Sequence, residues 1–210
     1  MAYSTKSPHG PRCWPTGLKR TKLSKEKIYS GRKNTTLNAK GRTMLRGVAI
    51  KAIKRNDDER GFLAEIFRED WKEFHERDRP VQANLSKSFP SIIRAWHRHA
   101  RGQTDYFLVL TGALRICVYD DKSRELDEII STEKDFQIVT VPGHYWHGFK
   151  VLGNETARLL YFVTKLYDYK NPDEERKPWN DVEVVPKTIN GNREDSRAGK
   201  PWDWNLPPHK

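Results

Sequence analysis

From Gly47 to Val163 the chain runs as a series of short segments in which apolar and polar residues alternate, each closed by Gly, Asp or Asn. Successive side chains of a strand point to opposite faces, so a period of two buries one face of each segment. The segments are Gly47 to Lys54, Gly61 to Phe67, Gln82 to Ser88, Ile92 to Arg98, Tyr106 to Val109, Leu114 to Tyr119, Glu128 to Ser131, Ile138 to Val141, Phe149 to Leu152 and Ala157 to Val163. Asn56 to Arg60 reads as a charged turn and Asp70 to Glu76 as a short helix. Hairpins are expected across Thr111-Gly112 and around Gly153-Asn154. Many short strands with turn residues between them and almost no helical period describe an all-β sandwich or barrel.

The net charge of +11 suggests a nucleic-acid partner until it is located. Residues 1 to 47 carry twelve Lys or Arg and one acid, Glu26, which accounts for all of it; the remaining 27 bases and 27 acids cancel. The body is therefore neutral and the basic character belongs to a tail. Residues 1–43 read as a disordered basic extension of a domain that starts near Met44. The tail has few aromatic residues on which bases could stack, which argues against nucleic-acid binding. With 210 residues, one domain is expected. No apolar run approaches the roughly 18 residues of a membrane span. Two cysteines, Cys13 and Cys117, make no disulfide framework, and a cytoplasmic setting is expected. After Tyr169 the chain turns polar and Pro-rich. Trp179, Trp202 and Trp204 mark residues 177–210 as an irregular, in part helical, tail that packs back on the barrel.

Chemistry concentrates in two stretches, Arg94-Ala-Trp-His97-Arg-His99 and Pro142-Gly-His-Tyr-Trp-His147-Gly-Phe149. His97 and His99 share a strand face, and a Pro-Gly turn can bring His147 to the same place. A single histidine on a strand is most simply a core residue; three at such positions point to a site. A neutral imidazole can remove a proton beside a carbonyl. Arg60 and Arg94 offer guanidinium forks for phosphate or carboxylate, though either alone is as readily a surface ion pair. Tyr161 is a core tyrosine or, if it faces the cavity, a proton donor. Glu65, Gln82, Asn84, Ser86 and Ser88 are polar strand positions, and the last four share one face that meets solvent or a polar ligand.

These residues resemble the dTDP-4-dehydrorhamnose 3,5-epimerase family of cupins. The resemblance spans Met44 to Arg176. It rests on Arg60-Gly61-Phe62 with Glu65, Gln82-x-Asn84-x-Ser86-x-Ser88, Arg94-x-x-His97 and Gly112. Pro142-Gly143-x-x-x-His147-Gly148-Phe149, Tyr161 and Tyr167-x-Tyr169-x-Asn171-Pro172 complete it. It implies a double-stranded β-helix, or jelly roll, over residues 44–176 and an isomerase acting beside the 4-keto group of a dTDP-like 4-keto-6-deoxysugar. It casts His97 as the base and Tyr161 as the acid on the opposite face. Arg60, Glu65, Gln82, Asn84, Arg94, His99 and His147 would bind substrate. No cofactor is expected, because the ketone itself acidifies the neighbouring carbon. A homodimer is implied, with an N-terminal strand extending the partner's sheet.

Two positions depart from the family. Where it places a lysine, this chain has Asp105; replacing Asp105 by Lys is expected to leave proton exchange intact or improve it. The acidic partner of the base histidine comes from the family's C-terminal region, where Asp195 and Asp203 are the candidates. Two other readings compete. One is a metal cupin using His97, His99, Gln103 and His147 for isomerase or oxygenase chemistry; the other is a sugar-nucleotide binding protein without turnover. Ketoisomerisation is a close variant of the epimerase reading, since related cupins use a His-x-His pair.

Overall fold

The computed structural model describes residues 44–71 and 79–206. The basic extension 1–43 and all but the start of the expected helix at Asp70 to Glu76 lie outside the described residues; Asp70 itself stands in a turn. Among the described residues there is no helix, and none is long and apolar enough to cross a membrane.

Thirteen strands follow in order: β1 (Ala49–Ala52), β2 (Arg55–Asp58), β3 (Gly61–Ala64), β4 (Gln82–Ser88), β5 (Ile93–Arg98), β6 (Thr104–Thr111) and β7 (Ala113–Asp120), then β8 (Glu125–Thr132), β9 (Gln137–Pro142), β10 (Trp146–Leu152), β11 (Ala157–Val163), β12 (Glu175–Arg176) and β13 (Thr188–Ile189). They form a five-stranded sheet in the order β1-β9-β6-β11-β4, a six-stranded sheet in the order β12-β5-β10-β7-β8-β13, and a separate β2-β3 hairpin. This is the all-β jelly roll implied by the pattern and the resemblance. Every pairing is antiparallel except β13 with β8.

Two expected hairpins are corrected. β6 and β7 do not pair: β6 belongs to the five-stranded sheet and β7 to the six-stranded one. Gly112, at φ +77°, carries the chain across between the sheets, in the left-handed region that favours glycine. β10 and β11, on either side of Gly153, divide in the same way. Alternation shows that a run is a strand and is silent on which sheet receives it. The charged turn expected at Asn56 to Arg60 is also shorter than read, because Arg55–Asp58 pair with Gly61–Ala64 as an exposed ribbon.

The two sheets close on a core that includes Phe107, Leu114, Ile116, Val118, Val139, Phe149, Val151 and Leu159. Burial of this alternating face holds the sandwich together, at roughly 25 cal/mol for each Å² of apolar surface removed from water. The outer face of the six-stranded sheet is covered by the C-terminal segment. Trp204 packs on Trp96 at 4.8 Å between ring centroids, and Trp202, Val184 and Ile189 complete the cluster. Between the layers Arg197 pairs with Glu128 and Asp195, so charges taken out of water there have partners. Lys177 exchanges two backbone hydrogen bonds with Trp96, which fixes the start of this segment beside β5.

Candidate active site

The sheets part at one end around a cavity of about 720 Å³. The five-stranded sheet contributes Gln82, Asn84 and Ser86 from β4, Asp105 and Phe107 from β6, and Tyr161 from β11. The six-stranded sheet contributes Arg94 and His97 from β5, with His99 and Gln103 from the turn that follows. Period two selects these residues: Gln82, Asn84 and Ser86 are half-buried while Ala83, Leu85 and Lys87 between them are exposed.

Register sets the site's geometry. On the five-stranded sheet Tyr161 lies between Asn84 and Phe107, and Val163 between Gln82 and Asp105. On the six-stranded sheet His97 is the direct partner of His147. Their rings stand 4.2 Å apart at 66°, and the His97 and His99 rings 5.9 Å apart. His97 and Tyr161 therefore line one cavity from opposite sheets. Gly143 locks the turn against this cluster. It donates to the Gln103 carbonyl at 2.8 Å and accepts from the His99 N–H at 2.6 Å, and a Cβ there would stand 2.8 Å from His99 Cβ.

Electrostatics separate the three histidines. Burial pushes His97 well below the usual imidazole value; His147 and His99 add to this and Asp105 opposes it, so His97 is held neutral, with a ring nitrogen open to a proton. Burial also works against charge on His99, but Asp105 and the Asp173 carbonyl outweigh it and raise its pKa. Burial would raise the Asp105 carboxyl, yet His147 and His99 hold it well below its usual range. Burial, then Asp105 and Glu174, raise the Tyr161 phenol against the pull of Arg94, so it is a hydroxyl with a proton to give. Arg94 donates to Ser88 Oγ at 3.0 Å, and among the described residues no carboxylate pairs with it. That leaves a guanidinium on the cavity wall for an anionic ligand.

Three expected residues stand outside the cavity lining, and a fourth, Gln103, lines it with its amide turned inward. Arg60 is exposed at the tip of the β2-β3 hairpin and pairs with Asp58 at 2.5 Å, while Glu65 pairs with Arg68 at 2.7 Å; neither lines the cavity of its own chain. His147 is fully buried behind the wall that His97 and Asp105 form, so it supports the site from the second layer. Gln103 turns its amide nitrogen to Asp105 Oδ1 at 2.7 Å and to His99 Nε2 at 3.1 Å. The oxygen donor among the histidines is consequently the Asp105 carboxylate: His97, His99, Asp105 and His147 present ligand atoms all within 4.8 Å of one another.

The expected C-terminal acid is also corrected. Asp195 is taken up by Arg197 and Asp203 is exposed, whereas the carboxylate that acts on His97 is Asp105. A signal for this was present. Asp105 and Phe107 alternate on the inward face of β6, in step with Gln103 just before it, and an acid at an inward strand position requires partners. Asp173 was missed too: its carbonyl meets His99 Nδ1 at 2.6 Å, and its carboxylate accepts from the Arg101 N–H at 3.0 Å. It sits in irregular chain, where no period identifies a partner.

Residues 42–195 match the family model described as dTDP-4-dehydrorhamnose 3,5-epimerase. The chain is 41% identical over 138 residues to the Haloferax volcanii protein named "Probable low-salt glycan biosynthesis epimerase", covering 63% of this chain and 87% of that one. It is 34% identical over 146 residues to spore coat polysaccharide biosynthesis protein SpsL of Bacillus subtilis, covering 67% and 94% respectively. Among solved structures it is similar to the 3,5-epimerase RmlC of Legionella pneumophila in complex with dTDP-4-keto-L-rhamnose. There the TM-score is 0.61 and the identity 25%, with 68% of this chain and 79% of that chain covered.

Proposed function

Because this chain belongs to the dTDP-4-dehydrorhamnose 3,5-epimerase family, we propose that it inverts a carbon beside the 4-keto group of a nucleotide-linked 4-keto-6-deoxysugar. The observation that carries this reading is the placement of a neutral imidazole, His97, and a protonated phenol, Tyr161, on opposite sheets of one cavity. Inversion needs a proton removed from one face of the sugar and another delivered to the other face. His97 takes the proton α to the ketone, the electrons move onto the ketone oxygen as an enolate, and Tyr161 returns a proton from the opposite side.

Gln82 and Asn84 share a hydrogen bond of 2.8 Å on the cavity wall and would hold sugar or base hydroxyl and amide groups. Arg94, with Arg101, Lys165, Arg176 and Lys177 also lining the cavity, suits the diphosphate. Product analysis after incubation with a panel of 4-keto nucleotide sugars tests the reading. A single epimer shift is expected, and unchanged sugars across the panel would refute it.

We further propose a homodimer in which the β2-β3 hairpin serves the partner. Phe62 and Leu63 are exposed on that hairpin, and β4 ends the five-stranded sheet with Val81, Leu85 and Phe89 exposed along it. An unpaired strand edge of this kind is a template for a further strand. Arg60 and Glu65 would then meet the partner's substrate, which accounts for their distance from their own cavity. A cytoplasmic setting is proposed as well, supported by the free buried thiol of Cys117, which suits a reducing compartment.

A further inference from the structure

Arg94 and His97 both line the cavity although they stand three residues apart on β5, where strict alternation would set them on opposite faces. An extra residue reconciles them. Against β10 the register runs from His147 opposite His97 to Phe149 opposite Arg94, so three steps of β5 answer two of β10. Such a bulge bends its strand, re-aims a side chain and leaves part of the ladder unmade. Gly148, at the bulge, makes room for it: a Cβ there would stand 2.3 Å from that of Ala95. The other edge of β5 gives little support, because β12 is two residues long and only the reciprocal bonds of Trp96 with Lys177 extend it. The aim of His97 is therefore set by whatever holds its neighbour, Trp96.

The Trp96 ring is 1% exposed, between Tyr119 of β7 at 6.4 Å and Trp204 at 4.8 Å. Among the described residues no group accepts from its indole N–H, so ring packing sets its orientation. Trp204 is itself held in place: its Nε1 donates to the Trp179 carbonyl at 3.0 Å, and its own carbonyl accepts from Arg115 at 2.9 Å. Arg197 anchors the approach to it with a two-pronged bond to Glu128, 3.0 Å on each arm. The match to the family model ends at residue 195, so Arg197 and Trp204 lie beyond it. We propose that Trp204 is a positioning residue for His97: pressed on Trp96 from the outer face of the sheet, it fixes the bulge of β5 and with it the angle at which the imidazole enters the cavity. Trp204 does not line the cavity and acts through Trp96. The catalytic consequence rests on the epimerase reading, whereas the mechanical one does not. A base displaced by about 1 Å from the proton it takes loses on the order of 100-fold in rate.

The test uses the full chain at a temperature where each variant is folded by circular dichroism. Deuterium uptake from solvent into a 4-keto-6-deoxy nucleotide sugar gives kcat and KM. Trp204→Leu should lower kcat by about 30-fold or more with KM within about threefold, since Gln82 and Asn84 lie on the other sheet. Trp204→Phe, which keeps a ring against Trp96, should stay within about threefold of the parent. Val109→Ala opens a cavity in the inner core, on β6 of the five-stranded sheet, and should melt lower while keeping the parent's kcat. Should Trp204→Leu not fold, Trp204→Met is read in its place. The imidazole nitrogen signals are recorded in parallel by nuclear magnetic resonance, with those of His97 assigned by their loss in His97→Gln, and Trp204→Leu should move them. Parent kcat in folded Trp204→Leu, an equal loss of kcat in Val109→Ala, or unmoved His97 signals overturns the proposal. If the folded parent exchanges no deuterium, the epimerase reading falls, while moved His97 signals retain the positioning role.

Discussion

His147 Nε2 lies 3.3 Å from Asp105 Oδ2, across the joint between β10 and β6. This contact changes what a lysine at position 105 would do. Rather than restoring exchange, Asp105→Lys would bury an ammonium among His97, His99 and His147 in place of the carboxylate that faces two of them. Removing one partner of a buried charged pair costs about 3–5 kcal/mol, so the melting temperature should fall by roughly 6–20 °C. Exchange should be lost with it. Thermal denaturation of Asp105→Lys beside Asp105→Asn separates the charge effect from the loss of the carboxylate.

Tyr161→Phe is expected to split two activities that His97 links. The phenol lies on β11, facing Phe107 at 5.9 Å between ring centroids, and its proton is held by a raised pKa. Without it the base still removes and returns a proton on its own face. Deuterium uptake from solvent should stay within about threefold of the parent, while inversion falls by about 100-fold or more. Nuclear magnetic resonance of the recovered sugar reports both.

The fold was legible because alternation marks strands directly. Gln82–Ser88 matches the sequence reading residue for residue, and Gln82, Asn84 and Ser86 of its polar face line the cavity while Ser88 is buried. The sheet that receives each strand was not legible: Gly112 and Gly153 read as hairpin turns and instead carry the chain between sheets. For the site, His97 and His99 were visible as an i, i+2 pair. Asp105 entered only as a departure from a family pattern, although its inward position on β6 already demanded partners. Asp173 had no local signal, since its contact with His99 is set by the irregular chain before β12.

Asp127 supplies a pH-dependent penalty unrelated to catalysis. Burial raises its carboxyl to about 6, against the Leu45 N–H that it accepts at 2.7 Å. Between about pH 4 and 6 the folded chain binds more protons than the unfolded one, so stability declines as pH rises through this window and the cost is complete above it. Asp127→Asn keeps an acceptor for Leu45 and removes the cost. It should be more stable by about 1–3 kcal/mol at neutral pH, with the gain vanishing near pH 4. Urea denaturation at both pH values measures it.

The β2-β3 hairpin provides a test of assembly. Leu63 is 71% exposed and Phe62 52%. Introducing charge at such a contact costs about 2 kcal/mol or more, so Leu63→Glu should weaken a dimer by about 30-fold with little change in the fold of each chain. Sedimentation velocity over a concentration series would show it. Arg60→Ala should raise KM while leaving the sedimentation of the parent unchanged.

The central claim is that His97 moves a proton beside a ketone, and deuterium uptake tests it most directly. A 4-keto-6-deoxy nucleotide sugar is incubated in D2O with the parent or with His97→Ala, and the carbon-bound positions next to the ketone are followed by mass spectrometry and nuclear magnetic resonance. The parent should introduce deuterium at one or both positions, and His97→Ala should slow this by about 100-fold or more while melting close to the parent. Exchange that proceeds equally in His97→Ala, or none in the folded parent, would contradict the account.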